Sequence, residues 1–90
     1  MAALFSPGQI VATPGALSLL AQTGTDALAL LSRHVRGDWG EVPAEDAAEN
    51  AYSIRHGFRV ISSYMAGHSR VWIITEADRS VTTLLLPSEY

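Results

Sequence analysis

Ninety residues with 48% hydrophobic and 17% charged content, net charge −3 and no cysteine describe one small globular domain (1–90) and not a disordered chain. Disulfides and thiolate metal sites are excluded, so stability has to come from the core or from a partner subunit. All six basic residues are arginines, and the acidic balance argues against a broad nucleic-acid-binding face while leaving room for a basic protein partner.

No apolar run approaches the roughly 18 residues needed to cross a bilayer. MAALFSPGQI lacks the charged and apolar regions of a signal peptide. The expectation is a cytoplasmic protein without a membrane association.

Along the chain, Phe5-Ser6-Pro7-Gly8 reads as a turn, and Gln9–Thr13 as a short β-prone edge strand. Thr13-Pro14 then starts a helix, threonine as N-cap and proline pre-set for the first helical position, with Leu17, Leu20 and Ala21 as its apolar stripe and Gly24 as its end. Thr25-Asp26 caps a second helix, ALALLSRHVR, closed by Gly37. Asp38 to Pro43 is a loop. A third helix runs from Ala44 to about His56, with Glu45, Asp46 and Glu49 in its first half and Gly57 behind it. Its small-residue stripe, Ala44, Ala47, Ala48 and Ala51, suits close approach to a sheet.

The last third changes period. FRVISSYM, RVWIITE and SVTTLLL are β-branched and aromatic runs broken by short turns, which predicts sequential antiparallel strands. Alternation sets Phe58, Val60, Ser62 and Tyr64 against Arg59, Ile61, Ser63 and Met65, and Val71, Ile73 and Thr75 against Trp72 and Ile74. The fold class is α+β: a short N-terminal strand, three helices, then a three-stranded antiparallel meander with the helices packed on one face. Apolar residues on both sheet faces suggest a homodimer or another protein partner.

Chemistry has few places to sit. RHVRGDWG places Arg33, His34 and Arg36 in the last turn of the second helix, followed by Asp38 and Trp39. Cations there complement the helix C-terminus, and Trp39 would plug the loop. The functional reading makes Arg33, Arg36, Asp38 and Trp39 a binding site for an anion or a protein partner. His34, His56 and His68 lack metal-ligand spacing, and no phosphate loop or nucleophile elbow occurs, so no metal or cofactor is expected. In WIITEADRSVTTLLLPSEY the threonines suit an exposed sheet face, or else Ser62 or Ser63, Thr75, Thr82 and Arg79 line a shallow polar site.

At GQIVATPGAL, RHVRGDWG and WIITEADRSVTTLLLPSEY the chain resembles a family of short uncharacterised plasmid-related proteins encoded on mobile elements of proteobacteria. That resemblance implies an accessory protein that blocks a host defence complex, or a toxin-like small nuclease. The layout also resembles, remotely, the barnase, EndoU and RelE-like ribonucleases. This second resemblance implies metal-independent RNA cleavage with His34 as acid or base, Arg59 or Arg79 on the phosphate, and Thr75 or Thr82 positioning. The acidic chain without lysine departs from that pattern. The leading expectation is therefore a protein-binding accessory protein, and the ribonuclease is the alternative.

Overall fold

The computed structural model describes residues 2–90. Strand β1 (Gln9–Ala12) is followed by helices α1 (Pro14–Thr23), α2 (Ala27–Val35) and α3 (Ala44–His56), then strands β2 (Val60–Ala66), β3 (Ser69–Thr75) and β4 (Val81–Leu85), and a short 3-10 turn at Pro87–Glu89. The architecture is α+β, as the change of period predicts. The sheet, however, has four strands in the order β1-β4-β3-β2 and is mixed. The meander β2-β3-β4 is antiparallel, and β1 joins it parallel to β4, with Gln9 opposite Val81 and Ala12 opposite Leu84. The first strand therefore finds its partner at the far end of the chain, a pairing that no local pattern announces.

The helix starts follow their caps. The Thr13 hydroxyl accepts from the Ala16 N–H, and the Asp26 carboxylate from the Leu28 N–H. Thr13 also donates to the Glu89 carboxylate at 2.6 Å, which in turn accepts from the Leu86 N–H, fastening the end of the chain to the start of α1.

Helices α1 and α2 cover one sheet face. Ala16 and Leu20 from α1, Leu30 and Leu31 from α2, and Tyr64, Ala66, Val71, Ile73 and Leu84 from the sheet form the core. Helix α3 departs from the expected one-sided packing: it flanks the edge of β2. Its alanine stripe does not seat on the sheet, since Ala44, Ala48 and Ala51 are exposed, and Asn50 and Ser53 turn inward instead. The reason is polar. The Asn50 amide donates to the Ile61 carbonyl at 2.7 Å and accepts from the Ile61 N–H at 3.1 Å, replacing the strand that β2 lacks on that side. Further along the same edge, Ser63 exchanges backbone hydrogen bonds with Trp39 and Glu41. Gly40, at φ 71°, lies so close that a Cβ there would collide with the Ser63 carbonyl and the Tyr64 ring.

No helix among the described residues is long and apolar enough to cross a membrane.

Candidate functional site

His34 faces the core, on the same side of α2 as Leu30 and Leu31, and is wholly buried. Its Nδ1 lies 2.5 Å from Ser62 Oγ and its Nε2 2.9 Å from Thr75 Oγ1. Thr75 Oγ1 is 2.7 Å from Thr82 Oγ1, which donates to the Pro7 carbonyl at 2.6 Å. The direction of this chain follows from its last member. A proline carbonyl only accepts, and each hydroxyl carries one proton. Thr82 must therefore donate to Pro7 and accept from Thr75, Thr75 must accept from His34 Nε2–H, and Nδ1 is left to accept from Ser62. The imidazole is neutral, in a single tautomer. Burial, reinforced by the positive charge of Arg79, holds its pKa down to about 4.

Aromatic rings close the site. Phe5 meets the imidazole edge-on with ring centres 5.3 Å apart, and Trp39 stands 6.1 Å away. The Arg79 guanidinium lies 5.4 Å from the Phe5 ring centre. That guanidinium also donates to the carbonyls of Phe58, Glu76 and Ser53, tying the β3–β4 turn to the end of α3. Of the residues the ribonuclease layout implies, the fold brings His34, Thr75 and Thr82 into one hydrogen-bonded line and sets Arg79 against the Phe5 ring. Arg59 lies elsewhere, beside the opposite sheet face. Thr75 and Thr82 turn into the core, against the expectation of an exposed threonine face, because alternation puts them beside Ile73 and Leu84.

RHVRGDWG is a helix ending rich in local hydrogen bonds. The Gly37 N–H donates to the His34 carbonyl and the Asp38 N–H to the Arg33 carbonyl, with Gly37 at φ 91°. Arg33 forms a two-point ion pair with Asp38 at 2.7 and 3.2 Å and stacks on Tyr64, 4.6 Å from its ring centre. This pairing pulls the Asp38 carboxyl below its ordinary range. Arg36 donates to the Ser32 carbonyl of its own helix. The Tyr64 hydroxyl donates to the Asp38 carbonyl at 2.5 Å, and burial pushes that phenol up to about 12. Of Arg33, His34 and Arg36, His34 points inward, while Arg33 and Arg36, with Gly37 and Asp38, line a small concavity.

The large concavity lies on the other side of the sheet. A groove of about 650 Å³ runs between α3 and the outer sheet face. Ile61 and Trp72 form its floor, and Tyr90 closes one end, its ring 5.5 Å from Trp72 and steeply inclined to it. Asp46 and Glu49 of α3 bring carboxylates to the lining, as does Glu41 before that helix, and Arg59 and Arg70 bring cations. Arg59 donates to the Tyr90 hydroxyl at 2.8 Å and pairs with Glu76 at 3.3 Å. Arg70 donates to Ser63 Oγ at 3.1 Å and to the Glu41 carbonyl at 3.3 Å. Of these residues, only Arg59 and Ser63 stand out in the sequence as site candidates. The others are scattered from residue 41 to residue 90, and the one local signal is the alternation that sets Trp72 opposite Val71 and Ile73.

Among the described residues no group of three or more metal-ligating side chains is placed to hold an ion. Comparison with protein-family models, with curated proteins and with solved structures finds no match.

Proposed function

We propose that this chain is a small protein-binding accessory protein of a bacterial mobile element, acting by surface contact in the cytoplasm, with inhibition of a host defence complex as its role. The observation that carries the binding part of the reading is the groove. It combines an apolar, aromatic floor with polar walls on a protein of ninety residues, the composition of a recognition surface. The mobile-element and anti-defence parts rest on the resemblance at RHVRGDWG and the C-terminal stretch. Affinity capture from a proteobacterial host should recover a defined partner with the wild-type chain and lose it with Trp72→Ala. Equal recovery by both chains would remove the groove from the reading. Ile10 and Val11 stay exposed on edge strand β1 and support self-association as well, which sedimentation equilibrium measures directly.

One observation favours the ribonuclease as a second reading: His34, Thr75 and Thr82 are joined, and the imidazole and the Arg79 guanidinium share the Phe5 ring as a cover. Opening that cover would expose an imidazole, hydroxyls and a guanidinium together. RNA cleavage in EDTA by Phe5→Ala, abolished in Phe5→Ala/His34→Ala, is the expected outcome under this reading. An inert Phe5→Ala chain on a broad RNA set rejects it.

A further inference from the structure

We infer that the occupant of the groove is a basic peptide segment of the partner, with an arginine or lysine side chain laid over Trp72 and facing the α3 wall. This inference rests on the groove being the binding surface and adds the chemistry of what enters it. The cavity and its aromatic floor supply the site, and the charge pattern selects the occupant.

The charges of the lining are not equally paired. Among the described residues the ion pairs are Arg33–Asp38 and Arg59–Glu76, so Glu41, Asp46 and Glu49 form none; Glu41 has the charges of Arg33 and Arg70 near it, which leaves Asp46 and Glu49 on α3 as the uncompensated carboxylates. Of the two cations in the lining, Arg59 is paired with Glu76 and donates to the Tyr90 hydroxyl, and Arg70 donates to the Ser63 hydroxyl and the Glu41 carbonyl without a carboxylate partner. Three carboxylates outside ion pairs stand against one such guanidinium, so the balance of the lining is negative. The helix dipole does not account for it: Asp46 lies in the first turn of α3, where the dipole stabilises a carboxylate, but Glu49 lies one turn beyond. Trp72 is half-buried, and Tyr90 meets it at 70° with ring centres 5.5 Å apart, forming a corner of two ring systems. A cation over an indole face is attracted by the ring quadrupole, most strongly where the site is partly desolvated, and a carboxylate on the far side adds to the attraction. An acidic segment would instead meet the α3 wall as a like charge, and a purely apolar one would leave its carboxylates no better paired than before.

The test uses the full chain and three nine-residue probes: acetyl-GRSGRSGRS-amide, the same peptide with glutamate at each arginine, and the same with glutamine. Affinity is followed by isothermal titration and by the indole emission of Trp72 in a Trp39→Phe background. The arginine peptide is expected to bind at least about fivefold more tightly than either other probe, with affinity falling as salt rises. The combined substitution Glu41→Gln/Asp46→Asn/Glu49→Gln, all at exposed positions and checked for an unchanged melt, is expected to abolish that preference. Trp72→Ala is expected to abolish binding. Equal binding of the three probes, or an arginine preference that survives neutralisation of the wall, overturns the basic occupant while the groove stands. If no probe binds wild type, or if Trp72→Ala binds as wild type does, the groove itself is overturned.

Discussion

The Thr82 hydroxyl donates to the Pro7 carbonyl at 2.6 Å, joining residues 75 positions apart in the chain. Because that carbonyl can only accept, the contact orients every hydrogen bond between it and the His34 ring. One backbone oxygen in the N-terminal segment thus selects the tautomer of a histidine buried in the core.

The neutral histidine makes the fold acid-sensitive in a defined window. With its pKa at about 4 in the folded protein against 6.5 for an unperturbed histidine, His34 takes up its proton first in the unfolded chain as the pH falls. Unfolding is therefore favoured by acid, and stability drops from about pH 6.5 downward by up to about 3 kcal/mol. Asp38, Asp78 and Glu89, whose pKa values are lowered, add losses of the same sign but only in the carboxylate range. Urea midpoints between pH 6.5 and 5 should slope for wild type and run flat for His34→Gln. A wild-type midpoint that does not move in this window contradicts the assignment.

The hydroxyls of the chain are coupled. Thr75→Val leaves His34 Nε2–H without its acceptor and should cost about 1 to 3 kcal/mol, the range for a buried polar group left unpaired. Thr82→Val strands the Thr75 hydroxyl and the Pro7 carbonyl and should cost a similar amount. The double substitution should cost less than the sum of the two, since the second change removes groups that the first has already orphaned. Equilibrium denaturation of the four chains of this cycle gives the coupling directly, and strict additivity would show that the line of hydrogen bonds does not act as a unit.

The sequence announced what is local and withheld what is not. Thr13, Asp26, Gly24, Gly37 and Gly57 mark helix ends because a cap is a contact over a few residues. Strand alternation separated the Val71–Ile73–Thr75 face from Trp72 and Ile74, and the structure buries the first face under α1 and α2. Alternation alone did not say which face was the core, because both faces carry apolar residues and Ser62 and Thr75 carry polar groups inward, where His34 and Thr82 receive them. The parallel partner of β1 and the Asn50–Ile61 edge contact depend on where distant segments come to rest. For the same reason the groove was invisible, as its floor, walls and closing ring come from four separated stretches.

Arg79 adopts φ 61°, the left-handed conformation that glycine tolerates and side chains resist, in the turn between β3 and β4. Its guanidinium offsets this cost by holding the carbonyls of Ser53, Phe58 and Glu76. Arg79→Ala removes those hydrogen bonds and keeps the strain, whereas Arg79→Gly removes both. Both variants should melt below wild type, with the glycine variant more stable than the alanine variant by about 1 kcal/mol. Thermal melts of the pair decide the matter, and an alanine variant as stable as the glycine one would mean that the turn relaxes when the arginine is gone.

Asn50 occupies the position of a missing neighbour strand, and its loss should be felt first at one amide. In Asn50→Ala the Ile61 N–H and C=O lose both partners on the α3 side, and α3 loses its direct tether to β2. The expected cost is about 1 to 3 kcal/mol for the unpaired groups. The more specific signature is in hydrogen exchange: the Ile61 amide should exchange much faster, while the Val71 and Ile73 amides in the centre of the sheet slow or quicken only with global stability. Asn50→Asp keeps the acceptor for the Ile61 N–H and removes the donor, so it should protect that amide yet still destabilise the chain. An Ile61 amide that stays protected in the alanine variant would show that another group closes the β2 edge.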